Sequence, residues 1–210
     1  MLATGRLAVA ADEERFVVVG PDRPDLLAAI AGVLTLAGVS VRAATVRAVT
    51  VEPGARPWAL IALEVVAARD VLPAAERIET DLGAALDGRL DLAGGIAEQQ
   101  RRRPPPRRLA AREGGEVVVR LDDRASAAAV LLEVRAPDRP GTLWRVASAI
   151  AGAGLTVSAA IVATLGAEVI DTFYLRSPGG GRPAEGDTRL DAARRAVLDT
   201  LGGGAAFTDW

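Results

Sequence analysis

Two stretches of the chain share one pattern of apolar and polar positions. They are VVGPDRPDLLAAIAGVLTLAGVSVRAATVRAVT, Val18 to Thr50, and VRAPDRPGTLWRVASAIAGAGLTVSAAIVATLG, Val134 to Gly166. Placing Pro21 on Pro137, an offset of 116 residues (137 − 21), aligns them without a gap. In each, a short apolar run (Phe16 to Val19; Val130 to Val134) stops at Pro-Asp-Arg-Pro, the signature of a strand leaving its sheet. Leu26, Leu27, Ile30, Val33, Leu34 and Ala37 then recur at helical spacing, as do Leu143, Val146, Ala147 and Ile150. Gly38 and Gly154 follow as helix stops, so the pattern predicts helices over about residues 24 to 37 and 140 to 153.

Past the glycines the period changes to two. Leu155, Val157, Ala159, Ile161 and Ala163 alternate as one apolar strand face, which is expected to lie under the helices. The hairpin partners are WALIALEVV and EVIDTFYLR, the second joined by a tight turn at Leu165-Gly166. A second helix follows in each copy, with stripes Leu72, Ile78, Leu82, Leu86 and Leu190, Ala193, Val197, Leu201. The order is βαββα twice. EVVVRL, Glu116 to Leu121, completes the first copy as the ferredoxin-like βαββαβ motif or pairs with the second; the tail GGGAAFTDW reads poorly as a strand. The fold class is therefore α+β, two ferredoxin-like units, each an antiparallel sheet with helices on one face. Their expected bounds are 15–97 and 116–210, separated by EQQRRRPPPRRLAAREGG at 98–115, a solvated linker or, with no aromatics for base stacking, a weak anionic-partner patch.

Composition narrows the chemistry. The chain has 210 residues, 50% of them hydrophobic but only 3% aromatic, so the cores rely on aliphatic packing. A formal net charge of -2 argues against a nucleic-acid binder working over its whole surface. With no Cys there is no disulfide or thiolate chemistry, which fits a reducing cytoplasm. With no His or Lys there is no Ser-His-Asp triad, no HExxH zinc site, no Walker A loop and no Schiff-base nucleophile. No apolar run reaches the length of a membrane span. No catalytic and no metal-ligating residue is assigned, and carboxylate pairs are the remaining catalytic option.

The doubled PDRP turn, PDRPG in the second copy, the helix closing on Gly154, SAAIVATLG and VIDTFYL resemble the paired ACT domains of bacterial PII uridylyltransferase/uridylyl-removing enzymes, over most of residues 16 to 201. The resemblance implies a regulatory amino-acid-binding module, a glutamine sensor that controls nucleotidylation and denucleotidylation of the PII nitrogen-signalling protein. Uridylyl or, in some lineages, adenylyl is the group transferred. It also implies a cytoplasmic location and ACT–ACT pairing. The family's catalytic parts, a His-Asp metal site and a Gly-Ser loop followed by spaced aspartates, have no counterpart here; Asp122-Asp123 is an adjacent pair without that loop. No cofactor is expected in this chain, whereas the parent enzyme is expected to need a divalent metal. An alternative reading is an ACT pair that binds no ligand and serves as a docking module.

The exchange of Gly141 for Asp25 between the copies singles out a site. A helix N-terminus offers unpaired N–H groups and partial positive charge, a receptor for an amino acid's carboxylate. Gly141 permits close approach, so the N–H groups of Gly141, Thr142 and Leu143 are expected to face a ligand. Asp25 is expected to satisfy the same donors itself, leaving the first copy partly self-capped. Asp138 and Asp22 either bind a ligand's ammonium group or cap their helices. Arg139 and Arg23 are either solvated or carboxylate contacts. Trp144 is read as core in preference to a lid or an interface anchor. Asp171, on a strand face with Val169, Phe173 and Leu175, needs a partner or an interface.

Overall fold

The structure, a computed structural model, describes residues 7–12, 14–49, 57–67, 71–102, 116–178 and 180–202. Eight strands form one antiparallel sheet: β1 Ala8–Asp12, β2 Arg15–Pro21, β3 Val39–Val49, β4 Trp58–Ala67, β5 Val118–Asp122, β6 Val130–Pro137, β7 Thr156–Leu165 and β8 Glu168–Arg176. The helices are α1 Leu26–Leu36, α2 Ala75–Leu86, α3 Leu92–Arg102, α4 Thr142–Gly152 and α5 Thr188–Leu201. The predicted first helices are thus present to within two residues, and Ile30 and Ile150, 1% and 0% exposed, lie in the core they were assigned to.

The strand order is β1-β2-β4-β3-β7-β8-β6-β5. Each unit contributes four strands, and the expected motif is permuted: the edge strand comes before the others, as ββαββα. The segment EVVVRL therefore serves the second unit, with Val118 opposite Arg135 and Asp122 opposite Leu131. The first unit is closed by β1, a strand that sequence pattern did not reveal, with Ala8 opposite Val19 and Asp12 opposite Arg15. Both edges are hairpins to their neighbours, and a short closure costs less chain entropy than a return from beyond α2. The tail beyond Gly202 and residues 103–115 of the proposed linker lie outside the described residues. Residues 98–102, placed in that linker, instead continue α3.

The two units meet through β3 and β7, paired from Ala43↔Ala163 to Arg47↔Ala159. Thr45 faces Ile161, its own repeat equivalent, so the seam is self-complementary about that pair, as a two-fold interface between identical subunits would be. Each seam strand carries a bulge at a matching place, between Val41 and Ala43 and between Val157 and Ala159. The bulge corrects one expectation. An extra residue reverses the alternation, so β7 turns Leu155 and Val157, then Ala160 and Val162, toward the helices, while Ile161, 57% exposed, and Ala163 face the open side. The β7–β8 turn is Gly166-Ala167, one residue later than expected, with Gly166 at φ 67.

The helices cover one face. Phe16, Leu63, Ile78 and Leu82 in the first unit and Leu132, Phe173, Ala193 and Val197 in the second are at most 1% exposed. Over the seam α1 lies against α4, closely enough that a Cβ on Gly32 would come 2.9 Å from Trp144 Cδ1 and 2.8 Å from Leu92 Cδ1. Trp144 is thus an anchor between the two units, half-buried, rather than part of one unit's core. Helix α3 starts with Asp91 Oδ1 accepting the Gly94 N–H at 2.9 Å, and Gly95 lets it settle against Leu36.

Candidate functional site

The turn between β6 and α4 sits where α4 begins, α1 ends and α3 passes over both. A Cβ on Gly141 would lie 3.6 Å from both Ile96 Cγ2 and Thr35 Cγ2. Gln100 Nε2 of α3 donates to the Pro140 carbonyl at 3.3 Å. Gly141 adopts φ 81, the left-handed conformation glycine reaches without a steric penalty. Its counterpart Asp25 has φ -89, so the two turns differ in backbone as well as in charge.

That difference corrects the self-capping expectation. Asp25 makes no side-chain bond to the helix N–H groups. Its carboxylate is instead forked by Arg23, Nε to Oδ1 at 2.6 Å and Nη2 to Oδ2 at 2.8 Å. Neither Asp22 nor Asp138 caps its helix. Asp22 is half-buried, and its pKa is raised by burial against the opposing pull of Arg176 in the other unit. In the first turn, therefore, Arg23 and Asp25 pair, and Asp22 has the charge of Arg176 nearby without a salt bridge.

The second turn has none of these compensations. With glycine at 141, Arg139 lacks the partner that Asp25 gives Arg23 and forms no salt bridge with its neighbour Asp138, and the strand position matching Arg176 is Val66. Among the described residues Arg139, Arg145, Asp138 and Asp171 form no salt bridge. Arg145 Nη2 donates to the Pro140 carbonyl at 3.3 Å, while Arg145 Nε is buried without a partner. Burial, with the nearby Arg139 charge adding, lowers the Arg145 pKa. The acidic pair shows the mirror image. Burial raises the pKa of Asp138. Burial raises that of Asp171 to about 7, the Ala163 N–H bond opposing and Asp138 adding.

The predicted residues of the second turn play unequal roles. The Thr142 hydroxyl is 2.8 Å from the Arg139 carbonyl it donates to and accepts the Arg139 N–H at 3.3 Å, while the Thr142 N–H also goes to that carbonyl at 3.0 Å. Thr142 shapes the turn. The N–H of Leu143, in the first turn of α4, has no backbone acceptor, as at any helix start. Asp22 and Arg23 belong to the other, neutralised turn. Arg145 was not predicted, and Asp171, singled out as needing a partner or an interface, was not placed in the site; the signal of each is a charged residue on an otherwise apolar face. No group of three or more acidic residues able to hold a metal is found among the described residues.

Residues 130–190 match the family model of the ACT domain. The second unit contains an ACT domain, and the first repeats its order of strands and helices. Over 83% of its length it is 39% identical to 20% of a bifunctional uridylyltransferase/uridylyl-removing enzyme from Streptomyces coelicolor. Over 86% it is 31% identical to 18% of the enzyme of the same description from Gluconobacter oxydans. The chain therefore spans about a fifth of the length of these curated relatives. Among solved structures, aspartate kinase from Synechocystis aligns over 89% of this chain and 26% of its own, at 21% identity and a TM-score of 0.43. No helix among the described residues is long and apolar enough to cross a membrane.

Proposed function

We propose that the ACT pair is a regulatory sensor of a free amino acid, glutamine by its kinship, and that it controls the nucleotidylation and denucleotidylation of the PII protein by a larger enzyme. One observation carries the reading. Of two turns with the same ancestry, the first pairs Arg23 with Asp25 and has Arg176 near Asp22, while the second leaves Asp138, Arg139 and Arg145 without a salt bridge about a helix start, with the buried Asp171 near Asp138. A zwitterion complements that arrangement. Its carboxylate meets Arg139, Arg145 and the Leu143 N–H, where a charge-assisted hydrogen bond contributes about 1.5–3 kcal/mol. Millimolar sensing needs only about -4 kcal/mol. Ile96 and Gln100 cover the turn, so a ligand enters by moving α3, which gives binding a mechanical consequence.

Calorimetric titration with the twenty amino acids tests this. L-Glutamine is expected to bind, Arg139→Gln to weaken it about 10- to 100-fold, and Arg23→Gln to leave it unchanged. Absence of binding by every amino acid refutes the reading. It would favour the docking alternative, which has its own support in the apolar residues on the open sheet face, Leu60, Ile161 and Ile170, 39%, 57% and 42% exposed.

A further inference from the structure

Asp171 is 1% exposed, yet only one of its oxygens is satisfied: Oδ1 accepts the Ala163 N–H at 3.3 Å, and Oδ2 has no partner. It stands on β8 between Val134 of β6 and Val162 of β7. The repeat supplies the control for what the fold requires there. In the first unit the residue between the equivalent Val18 and Val46 is Ile61, also 1% exposed. An apolar side chain therefore fills this position in the same architecture, and a buried carboxylate with a free oxygen costs stability without improving the packing. Within the second unit the carboxylate is close enough to Asp138 for their charges to interact, and Asp138 leads into the turn that starts α4. An orphaned buried acceptor near a second carboxylate that forms no salt bridge lacks one component, a cation, and Asp138 carries the chain directly into Arg139 and the start of α4.

We infer that Asp171 is the specificity residue for a free α-amino group, its Oδ2 accepting a hydrogen bond from the ligand's ammonium while Asp138 supplies the second negative charge. The inference rests on the sensor reading above and names the half of the ligand that reading leaves open. The ammonium, tethered to a carboxylate two bonds away, bridges the acidic and basic ends of the site. Neither a simple amine nor a simple carboxylic acid satisfies both. The ligand class is thus an α-amino acid with a free amino terminus, not an acylated amino acid or a 2-oxo acid.

The test compares L-glutamine with 4-carbamoylbutanoate, the same molecule without its amino group, by calorimetric titration on the wild-type chain, Asp171→Asn and Asp171→Ile. The last copies Ile61, so one variant preserves shape and the other uses a residue the fold already accepts there; circular dichroism confirms folding of each. The wild-type chain is expected to prefer glutamine by at least about tenfold, and both variants to lose that preference because glutamine weakens to the level of the desamino compound. Folded variants that still discriminate between the two compounds overturn the assignment of Asp171 and leave the sensor reading standing. A wild-type chain that binds both compounds equally does the same. A wild-type chain that binds neither, and no other amino acid, overturns both.

Discussion

Asp171→Asn should stabilise the chain at high pH and do little at low pH. Burial raises the Asp171 pKa from its ordinary 3.8 to about 7, so the folded state holds its proton more tightly than the unfolded state. For a carboxyl raised on folding, the native state carries more protons between the two values, and the stability contributed by that proton is lost as pH climbs. The window runs from about 4 to about 7, with no further loss above it. About three pH units at 1.36 kcal/mol each set the cost of the ionised group at about 4 kcal/mol, before any relaxation by entering water. Asparagine has the same shape, carries no charge, and its oxygen can keep the Ala163 N–H bond. Urea unfolding of wild type and variant at about pH 4 and about pH 8 reads the difference. The variant should exceed wild type by roughly 2–4 kcal/mol at the higher pH and by a small fraction of that at the lower. An advantage of the same size at both pH values, or none at pH 8, would show that this carboxyl pays no desolvation cost, and the case for a missing cation at Oδ2 would lose its energetic basis.

Gly32→Leu should destabilise the chain by about 1–3 kcal/mol, despite better helix propensity, because a Cβ already meets Leu92 and Trp144 inside 3 Å; chemical denaturation measures it, and a neutral result refutes the close α1–α4 contact. Ile96→Ala should cost about 2–5 kcal/mol yet tighten glutamine binding, since Ile96 is 2% exposed and part of the cover over Gly141; weaker glutamine binding in the folded variant would place Ile96 in the site as a contact, not a cover. Gly141→Asp should lower stability by about 1 kcal/mol because of its φ of 81, whereas Asp25→Gly, which frees Arg23, should leave glutamine affinity unchanged; matched denaturation and titration curves check both.

Most of the fold could be read from two periodicities. Leu26 to Ala37 and Leu143 to Ile150 repeat every three to four residues because a helix must bury one stripe, and both stripes are buried except for the half-buried Ala37 and Leu143. What failed to show was set by contacts beyond the local window. Strand β1 is a short edge strand of mostly alanine, with neither alternation nor β-branching beyond Val9 to mark it. Helix α3 contains Gly94 and Gly95, which lower its propensity, but Gly94 leaves room for the Asp91 carboxylate and Gly95 admits Leu36, so packing overrode the local signal. The bulge at Ser158 left no trace in composition, yet it decides which face of β7 meets water.

The site was half legible for a physical reason. The glycine-for-aspartate exchange marked the turn on which the proposal rests, but sequence could not show that Asp25 would turn outward to Arg23 instead of inward to the helix start. Asp171 was conspicuous as a charge on an apolar face, and its meaning depends on a register that only the folded sheet supplies: it occupies the place of Ile61. A duplicated chain therefore contains its own comparison. Where both copies keep an apolar residue, as at Val18 and Val134 or Val46 and Val162, the position belongs to the core both need. Where one copy alone carries an unpaired charge that its twin neutralises or replaces, packing gives no reason to retain it. Asp138, Arg139 and Arg145 stand at one turn and Asp171 lies near Asp138, so the proposed ligand, bearing both signs, is the simplest molecule that balances them.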